Sequence, residues 1–164
     1  LGASSDTVSV CYDTIAPVGK VTDSSGVVIK NGGYVNKAIS YTATDAQGVN
    51  NYQVKKPNSS TWTSYTVGTK LSGTGKYVFR STDKAGNVSE EYSVYYDGVS
   101  PTGTLYGGTS IKQDGDHTNA AYVKYVATDA QSGIDACYVK MPNSSYYTNY
   151  ASGTQPKADI IFIR

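Results

Sequence analysis

Three aspartates are the residues of this chain whose type and spacing best suit a site for chemistry. Asp13, Asp45 and Asp83 each precede residues typical of turns, and Asp97 and Asp129 repeat the first two. Carboxylates gathered at one place could hold Ca²⁺, which takes oxygen ligands. The alternative is that each aspartate caps its own turn by accepting hydrogen bonds from nearby backbone N–H groups. We favour caps, and we therefore predict neither a metal nor another cofactor.

Other signals of catalysis are weak. The one histidine, His117, lies in the polar loop Gln113–His117, and a histidine without a partner builds neither a triad nor a zinc site. Asp114-Gly115-Asp116 lacks the downstream glutamate of an EF-hand. The sequence contains no nucleophile-elbow or phosphate-binding glycine motif. We predict that the protein is not an enzyme.

Aromatic side chains are the remaining functional signal. Two stretches that follow Pro-Asn-Ser-Ser hairpins carry the candidate binding residues Trp62, Tyr65, Tyr146, Tyr147 and Tyr150. Alternation places Trp62 and Tyr147 on one side of their strands and Tyr65 and Tyr150 on the other. Rings that face water could stack on sugars or fill a partner's pocket. The alternative is that these rings pack along the edge of the fold.

The elements that would position these residues occur twice. Tyr41–Gln47 (YTATDAQ) and Tyr125–Gln131 (YVATDAQ) are offset by 84 residues (125 − 41 = 84). Such a long period indicates duplicated whole domains rather than a solenoid. We interpret residues 1–12 as the last strand of a preceding repeat, 13–97 as the first repeat and 98–164 as a second, truncated repeat. Cys11 and Cys137 each align with tyrosine in the other copy, which favours two isolated thiols over a Cys11–Cys137 disulfide.

Apolar and polar residues alternate within each copy. Ile39, Tyr41 and Ala43 would face inward in the first copy, and the second copy has a matching inward set: Val123, Tyr125 and Ala127. A period of two is typical of strands packed on one face. Seven or so short strands per copy, with no helical periodicity, predict an immunoglobulin-like sandwich. The predicted fold class is all-β, with two tandem immunoglobulin-like β-sandwich domains, the second lacking its last strand. In such a sandwich Asp13, Asp45 and Asp83 would share one pole.

Several short motifs resemble those of a known family. Asp13–Pro17 (DTIAP), Ala43–Asp45 (ATD), the pair Trp62 and Tyr65, and Asp83–Asn87 (DKAGN) are similar to motifs of bacterial immunoglobulin-like repeats. Those repeats stand in tandem on surface and secreted proteins, mostly of Gram-positive bacteria. The second copy departs from the pattern, since Tyr147 replaces the tryptophan and the DKAGN turn is missing.

The resemblance implies an extracellular or cell-surface location and a structural role as a spacer or stalk. The partners would then be neighbouring immunoglobulin-like repeats. The alternative is adhesion to a glycan or host protein through the strands of Trp62 and Tyr147. With 14 basic and 13 acidic residues, the chain has no charge excess that would favour nucleic acid. It also lacks an apolar window long enough for membrane insertion and a recognisable secretion signal, so a secreted protein would be seen here as a mature form or fragment.

The sequences at the two ends of the chain indicate a further partner, which is a second copy of the chain. Residues 6–12 match 90–96, the last strand of the first copy, whereas residues 160–163 would form an apolar edge without that strand. An unpaired edge is a template for another strand. We therefore predict that the N-terminal strand of one chain completes the second repeat of a neighbour. The alternative is a fragment of a longer array whose end segments are unpaired.

Overall fold

A computed structural model of the chain describes residues 7–141, 144–154 and 162–163. The predicted hairpin tip at 142–143 and residues 160–161 of the predicted edge lie outside these ranges. The described residues form strands and turns without any helix, which confirms the all-β prediction. The chain divides into two compact units, Leu1–Gly98 and Val99–Arg164.

Unit 1 is built from two sheets. Its described strands are β1 (Val18–Asp23), β2 (Val28–Ile29), β3 (Gly33–Val35), β4 (Ile39–Thr44), β5 (Val49–Lys55), β6 (Thr63–Ser64), β7 (Gly75–Asp83) and β8 (Tyr92–Tyr96). The smaller sheet has the order β2-β1-β4, and the larger one has the order β3-β8-β7-β5-β6. Neighbouring strands are antiparallel except β3 and β8, which run parallel.

Both sheets of unit 1 contribute to one apolar core. The fully buried residues include Val21, Ile39 and Tyr41 from the smaller sheet and Val54 and Phe79 from the larger. The Tyr41 ring stacks on Phe79, with centroids 5.0 Å apart and planes inclined by 14°. This packing confirms that the alternating residues of β4 face inward, as the period of two predicts.

Some stretches of unit 1 pair less than a full strand would. Leu71 forms only an isolated bridge to Ile39, and β8 begins at Tyr92. Before β8 the pairing is limited to an isolated bridge between Thr82 and Val88, and the Ser89 hydroxyl accepts a hydrogen bond from Ser81 N–H at 2.9 Å. Residues 7–12, predicted as a strand, lie outside any strand and expose alternate apolar side chains.

Unit 2 repeats this plan with fewer strands among its described residues. They are β9 (Thr102–Gly107), β10 (Ser110–Lys112), β11 (Val123–Thr128), β12 (Cys137–Lys140), β13 (Thr148–Tyr150) and β14 (Phe162–Ile163). One sheet has the order β10-β9-β11 and the other β13-β12-β14. The buried core consists of Cys137, Val139 and Tyr150, with Tyr125 and Ala127 partly buried against it.

The strand registers of the two units correspond. Val21 pairs with Tyr41 in unit 1, and the residues 84 positions later, Leu105 and Tyr125, pair in unit 2. The β5–β6 pairing likewise recurs between β12 and β13. The duplication seen in the sequence is therefore also a duplication of strand pairing.

A glycine lies beneath the central tyrosine of each unit. A Cβ on Gly19 would lie 2.6 Å from Tyr41 Cε2, and a Cβ on Gly103 would overlap the Tyr125 ring in the same way. Real Cβ atoms essentially never approach so closely, so each ring requires a residue without a side chain beside it.

Candidate functional site

The aspartate cluster of unit 1 lies where three segments meet. Asp13 belongs to the entry segment before β1, Asp45 follows β4, and Asp83 ends β7. One carboxylate oxygen from each residue lies within 4.8 Å of the others. The structure thus brings together the three aspartates that the sequence predicts to share a pole.

Each aspartate of the cluster also caps its own turn. Asp45 Oδ1 accepts the N–H groups of Gln47 and Gly48 at 2.8 and 3.1 Å. Asp13 Oδ1 accepts the N–H of Ile15 at 3.0 Å. Asp83, which is 1 % exposed, accepts from the Asn87 backbone and side chain, both at 2.8 Å. The predicted turn caps are confirmed, and the entry segment is tied to the Asp83 turn because the Asn87 side-chain amide donates to Asp13 O at 3.1 Å.

Hydrogen bonding decides the charge state of the buried carboxylate. Burial on its own would raise the pKa of Asp83, but the hydrogen bonds from the Asn87 side chain and the neighbouring backbone N–H groups outweigh it. The pKa of Asp83 therefore lies below its ordinary value, and the residue is ionised at neutral pH. Asp13 Oδ2 is buried without a hydrogen-bond partner among the described residues. Oxygens at this spacing suit turn capping and equally suit a hard cation such as Ca²⁺.

The matching pole of unit 2 keeps one of these caps in the same form. Asp129 Oδ1 accepts the N–H groups of Gln131, Ser132 and Gly133 at 3.0, 2.8 and 3.2 Å. The hydrogen bond from Ser132 N–H is the main reason that the pKa of Asp129 is lowered. Asp129 also borders a shallow, open depression of about 280 Å³ that Thr102 and Thr128 help to line.

Two of the predicted binding residues, Tyr65 and Tyr150, are corrected by the structure. They were named as candidate binding residues, with packing along the edge of the fold as the alternative, but they are only 7 % and 9 % exposed and belong to the two cores. Tyr65 Oη accepts the Tyr41 N–H at 3.0 Å and donates to Thr69 O at 2.6 Å. Tyr150 makes the same pair of bonds in unit 2, with Tyr125 N–H and Thr154 O. We call this arrangement the tyrosine clamp.

The physical reason for the tyrosine clamp is that a buried hydroxyl must find partners. A tyrosine can fill the core with its ring and still satisfy its oxygen at the backbone. The sequence carried a signal for this role, because both copies keep tyrosine here while the ring three residues earlier changes from Trp62 to Tyr147. Tyr65 and Tyr150 are therefore unavailable for stacking on a ligand.

The other three predicted binding residues reach the surface in different ways. Trp62 is half-buried and lies beneath two cations: Lys55 Nζ is 4.3 Å and Arg80 Cζ is 4.2 Å from its ring centroid. Tyr146 and Tyr147 are 68 % and 43 % exposed. Only unit 2 thus presents adjacent exposed tyrosines at the predicted position.

Among the described residues, the remaining candidates for chemistry belong to no group of three or more metal-ligating side chains. His117 is exposed in the loop after β10, and Asp116 Oδ2 accepts the Gln113 N–H there at 2.9 Å. Cys11 is exposed and Cys137 is buried, and both are free thiols, as predicted.

Comparison with protein-family models, with curated proteins and with solved structures finds no match to this chain. Within the part of the chain that the structure describes, no helix has the length and apolar character needed to cross a membrane.

Proposed function

We propose that this chain is a structural spacer, formed by two tandem immunoglobulin-like β-sandwich domains of an extracellular bacterial surface protein. The observation that carries the proposal is the repetition of strand register in the two units. A duplicated scaffold whose polar residues mainly hold its own turns suits a module that sets distance. The resemblance of the DTIAP and DKAGN segments to bacterial surface repeats supports the location.

The connection into unit 1 supports the same function. The entry segment is bonded to the pole of the unit through Asn87 and Asp13, so the chain enters at a defined place. A spacer benefits from such fixed entry, because a loosely attached module would not hold its cargo at a set height. Neighbouring repeats of the same kind are the expected partners, and we propose no catalytic role.

The spacer function is tested by measuring reach. One, two or three copies of the whole chain would be placed between a cell-wall anchor and a peptide epitope on a bacterial surface. We expect capture of the cells by antibody-coated beads to rise with copy number. A Gly/Ser linker of equal residue number is the control, since it coils and gains reach only as the square root of its length. Capture that does not depend on copy number would refute the spacer.

A second candidate function is adhesion through unit 2. The observation that favours it is the pair of exposed rings, Tyr146 and Tyr147, beside β13. Adjacent exposed tyrosines can stack on sugars or enter a partner's pocket. A neutral-glycan array and a host-cell binding assay would test this, with Tyr146→Ala and Tyr147→Ala as variants. Binding that both variants retain would exclude this site.

A further inference from the structure

The outward side of the larger sheet of unit 1 is an ordered surface. Along β7, Tyr77, Phe79 and Ser81 are buried, so the alternate residues Lys76 and Arg80 point away from the core. The cross-strand register then fixes their neighbours. The outward residues of the other strands are Lys55, opposite Val78; Tyr95, opposite Lys76; and Tyr34, opposite Tyr95. We call the surface of Tyr34, Tyr95, Lys76, Arg80, Lys55 and Trp62 the basic face.

The basic face has a local charge excess that the whole chain does not have. Its five strands contain three cations and one acid, Asp83, and Asp83 is buried on the opposite side of the sheet. Glu91, next to β8, forms an ion pair with Lys55 at 3.7 Å. Among the described residues, Lys76 and Arg80 form no ion pair, so this surface keeps two unpaired cations although the chain as a whole carries only +1.

Aromatic rings hold these cations in place. Lys55 and Arg80 both lie over Trp62, and Arg80 Nε also donates to Gln53 Oε1 at 2.8 Å. Lys76 Nζ lies 5.6 Å from the centroid of the Tyr95 ring. Cation–π contacts restrict long, flexible side chains, and a cation that is already ordered loses less entropy when it binds a ligand.

Aromatic surface is also available at the edge of the basic face. Tyr34 stacks on Tyr95, with centroids 5.0 Å apart, and Tyr34 is 53 % exposed. β3 and β6 are the edge strands of the five-stranded sheet and are four inter-strand distances apart, so the basic face is about 19 Å wide. Across the strand order the cations lie between aromatic rings, with Tyr34 and Tyr95 on the β3 side and Trp62 on the β6 side.

We propose that the basic face binds an anionic polysaccharide. Carboxylate or sulfate groups along the polysaccharide would pair with Lys76 and Arg80, while a sugar ring packs on Tyr34. A row of cations between aromatic rings on one side of an open sheet fits a long, repeating polyanion better than a folded acidic protein, which would need a matching shape. This binding goes beyond the spacer function and does not depend on it.

The test measures binding of the whole chain to immobilised polysaccharides. The probes are polygalacturonate for carboxylates, heparin for sulfates and dextran as the neutral control. We expect binding to one or both polyanions, with affinity that falls as salt rises, and no binding to dextran. Which polyanion binds more tightly identifies the anionic group. Absence of binding to both would overturn the proposal.

Two matched variants separate the effect of the basic face on affinity from the effect of net charge. In the test variant, Lys55→Gln, Lys76→Gln and Arg80→Gln remove three charges, and we expect affinity to fall by about tenfold or more. The control variant removes three exposed lysines elsewhere through Lys20→Gln, Lys30→Gln and Lys70→Gln, and it should stay within about twofold of the parent. Equal losses in the two variants would show a net-charge effect and overturn the proposal.

A single substitution tests the same site even if the triple variant does not fold. Tyr34→Ala removes an exposed ring and no charge, and we expect it to weaken binding severalfold while the melting temperature changes little. Unchanged affinity in a folded Tyr34→Ala protein would remove the ring from the site and contradict sugar binding. Equally tight binding of poly-glutamate or single-stranded DNA would likewise contradict the choice of polysaccharide.

Discussion

The hydrogen bonds of the Tyr65 hydroxyl lead to a prediction about the free energy of unfolding. In Tyr65→Phe the ring still fills the core, but the Tyr41 N–H and the Thr69 carbonyl lose their partner. A buried donor left unpaired costs about 1–3 kcal/mol, so we expect a loss of that size in chemical denaturation. Tyr34→Phe is the control, because that ring is half in water, and it should change stability by less than about 0.5 kcal/mol. Equal effects of the two substitutions would contradict the clamp.

The lowered pKa of Asp83 leads to a prediction about how the stability of the fold depends on pH. The folded state lowers the pKa of this carboxylate, so its contribution to stability is present above the ordinary aspartate value of about 3.9 and is lost as pH falls through the lower folded value. We expect Asp83→Asn to be less stable than the parent at pH 7 and the difference to narrow below pH 4. Asp13 and Asp45 adjoin Asp83, so the comparison of the parent with Asp83→Asn isolates the share of Asp83. A difference that is constant from pH 7 to about pH 3 would contradict this account.

The hydrogen bonds of the aspartate cluster also lead to a prediction about the effect of Ca²⁺ on the melting temperature. Asp13, Asp45 and Asp83 each accept protein N–H groups, so the turns are already capped without a cation. We expect the chain to unfold at the same temperature in excess chelator and in millimolar Ca²⁺. A cation bound only to the folded state would raise the melting temperature with its concentration. A reproducible, calcium-dependent rise that Asp45→Asn abolishes would overturn the expectation.

At the scale of elements, the pairing of β1 with β4 depends on Gly19. A methyl group at this position would meet the Tyr41 ring, so Gly19→Ala must push apart two strands of a packed core. Overpacking of this kind typically destabilises by about 1–3 kcal/mol. Gly98→Ala is the control, since its Cβ would approach the partly buried Tyr96 ring no closer than 3.1 Å. The same melting temperature for both variants would show that the Tyr41 ring can move aside.

Strands that alternate over several residues could be predicted from the sequence. In β4 the alternation is long enough to identify the inward side, and Ile39 and Tyr41 lie in the core accordingly. The turn caps at Asp45 and Asp83 were also predictable, because an aspartate followed by turn residues has a local mechanism. Local patterns of this kind do not depend on the rest of the chain.

The exposure of Tyr65 and Tyr150 could not be predicted in the same way. The strands beside them, β6 and β13, contain only two and three residues, so alternation does not decide which side faces the core. The basic face was also missed. Lys55, Lys76 and Arg80 come from two strands that become neighbours only through a long-range register, which no local pattern in the sequence indicates.

At the scale of the whole molecule, the N-terminal segment makes a prediction about association. Val8, Val10 and Tyr12 are exposed at alternate positions outside any strand, and their sequence matches that of β8. Residues 162–163, at the other end, pair only with β12 among the described strands. We expect the chain to self-associate by strand addition, giving a light-scattering mass that rises with concentration.

Deletion of residues 1–12 should abolish this association. A control in which Val8 and Val10 become serine keeps the chain length and should weaken it, because the added strand would lose its apolar side. A monomer at every concentration, with or without the deletion, would exclude strand exchange.

The parallel pairing of β3 with β8 has a consequence for how unit 1 responds to pulling. Strand β8 leads directly into the connection at Asp97 and Gly98, so tension along the chain enters unit 1 through it. Its ladders to β3 on one side and β7 on the other run alongside the direction of pull. The hydrogen bonds of both ladders would carry the load together, in shear, rather than opening one after another from an end. Under a sustained pulling force, such as that of fluid flow, unit 1 would therefore unfold abruptly and at high force instead of unzipping gradually.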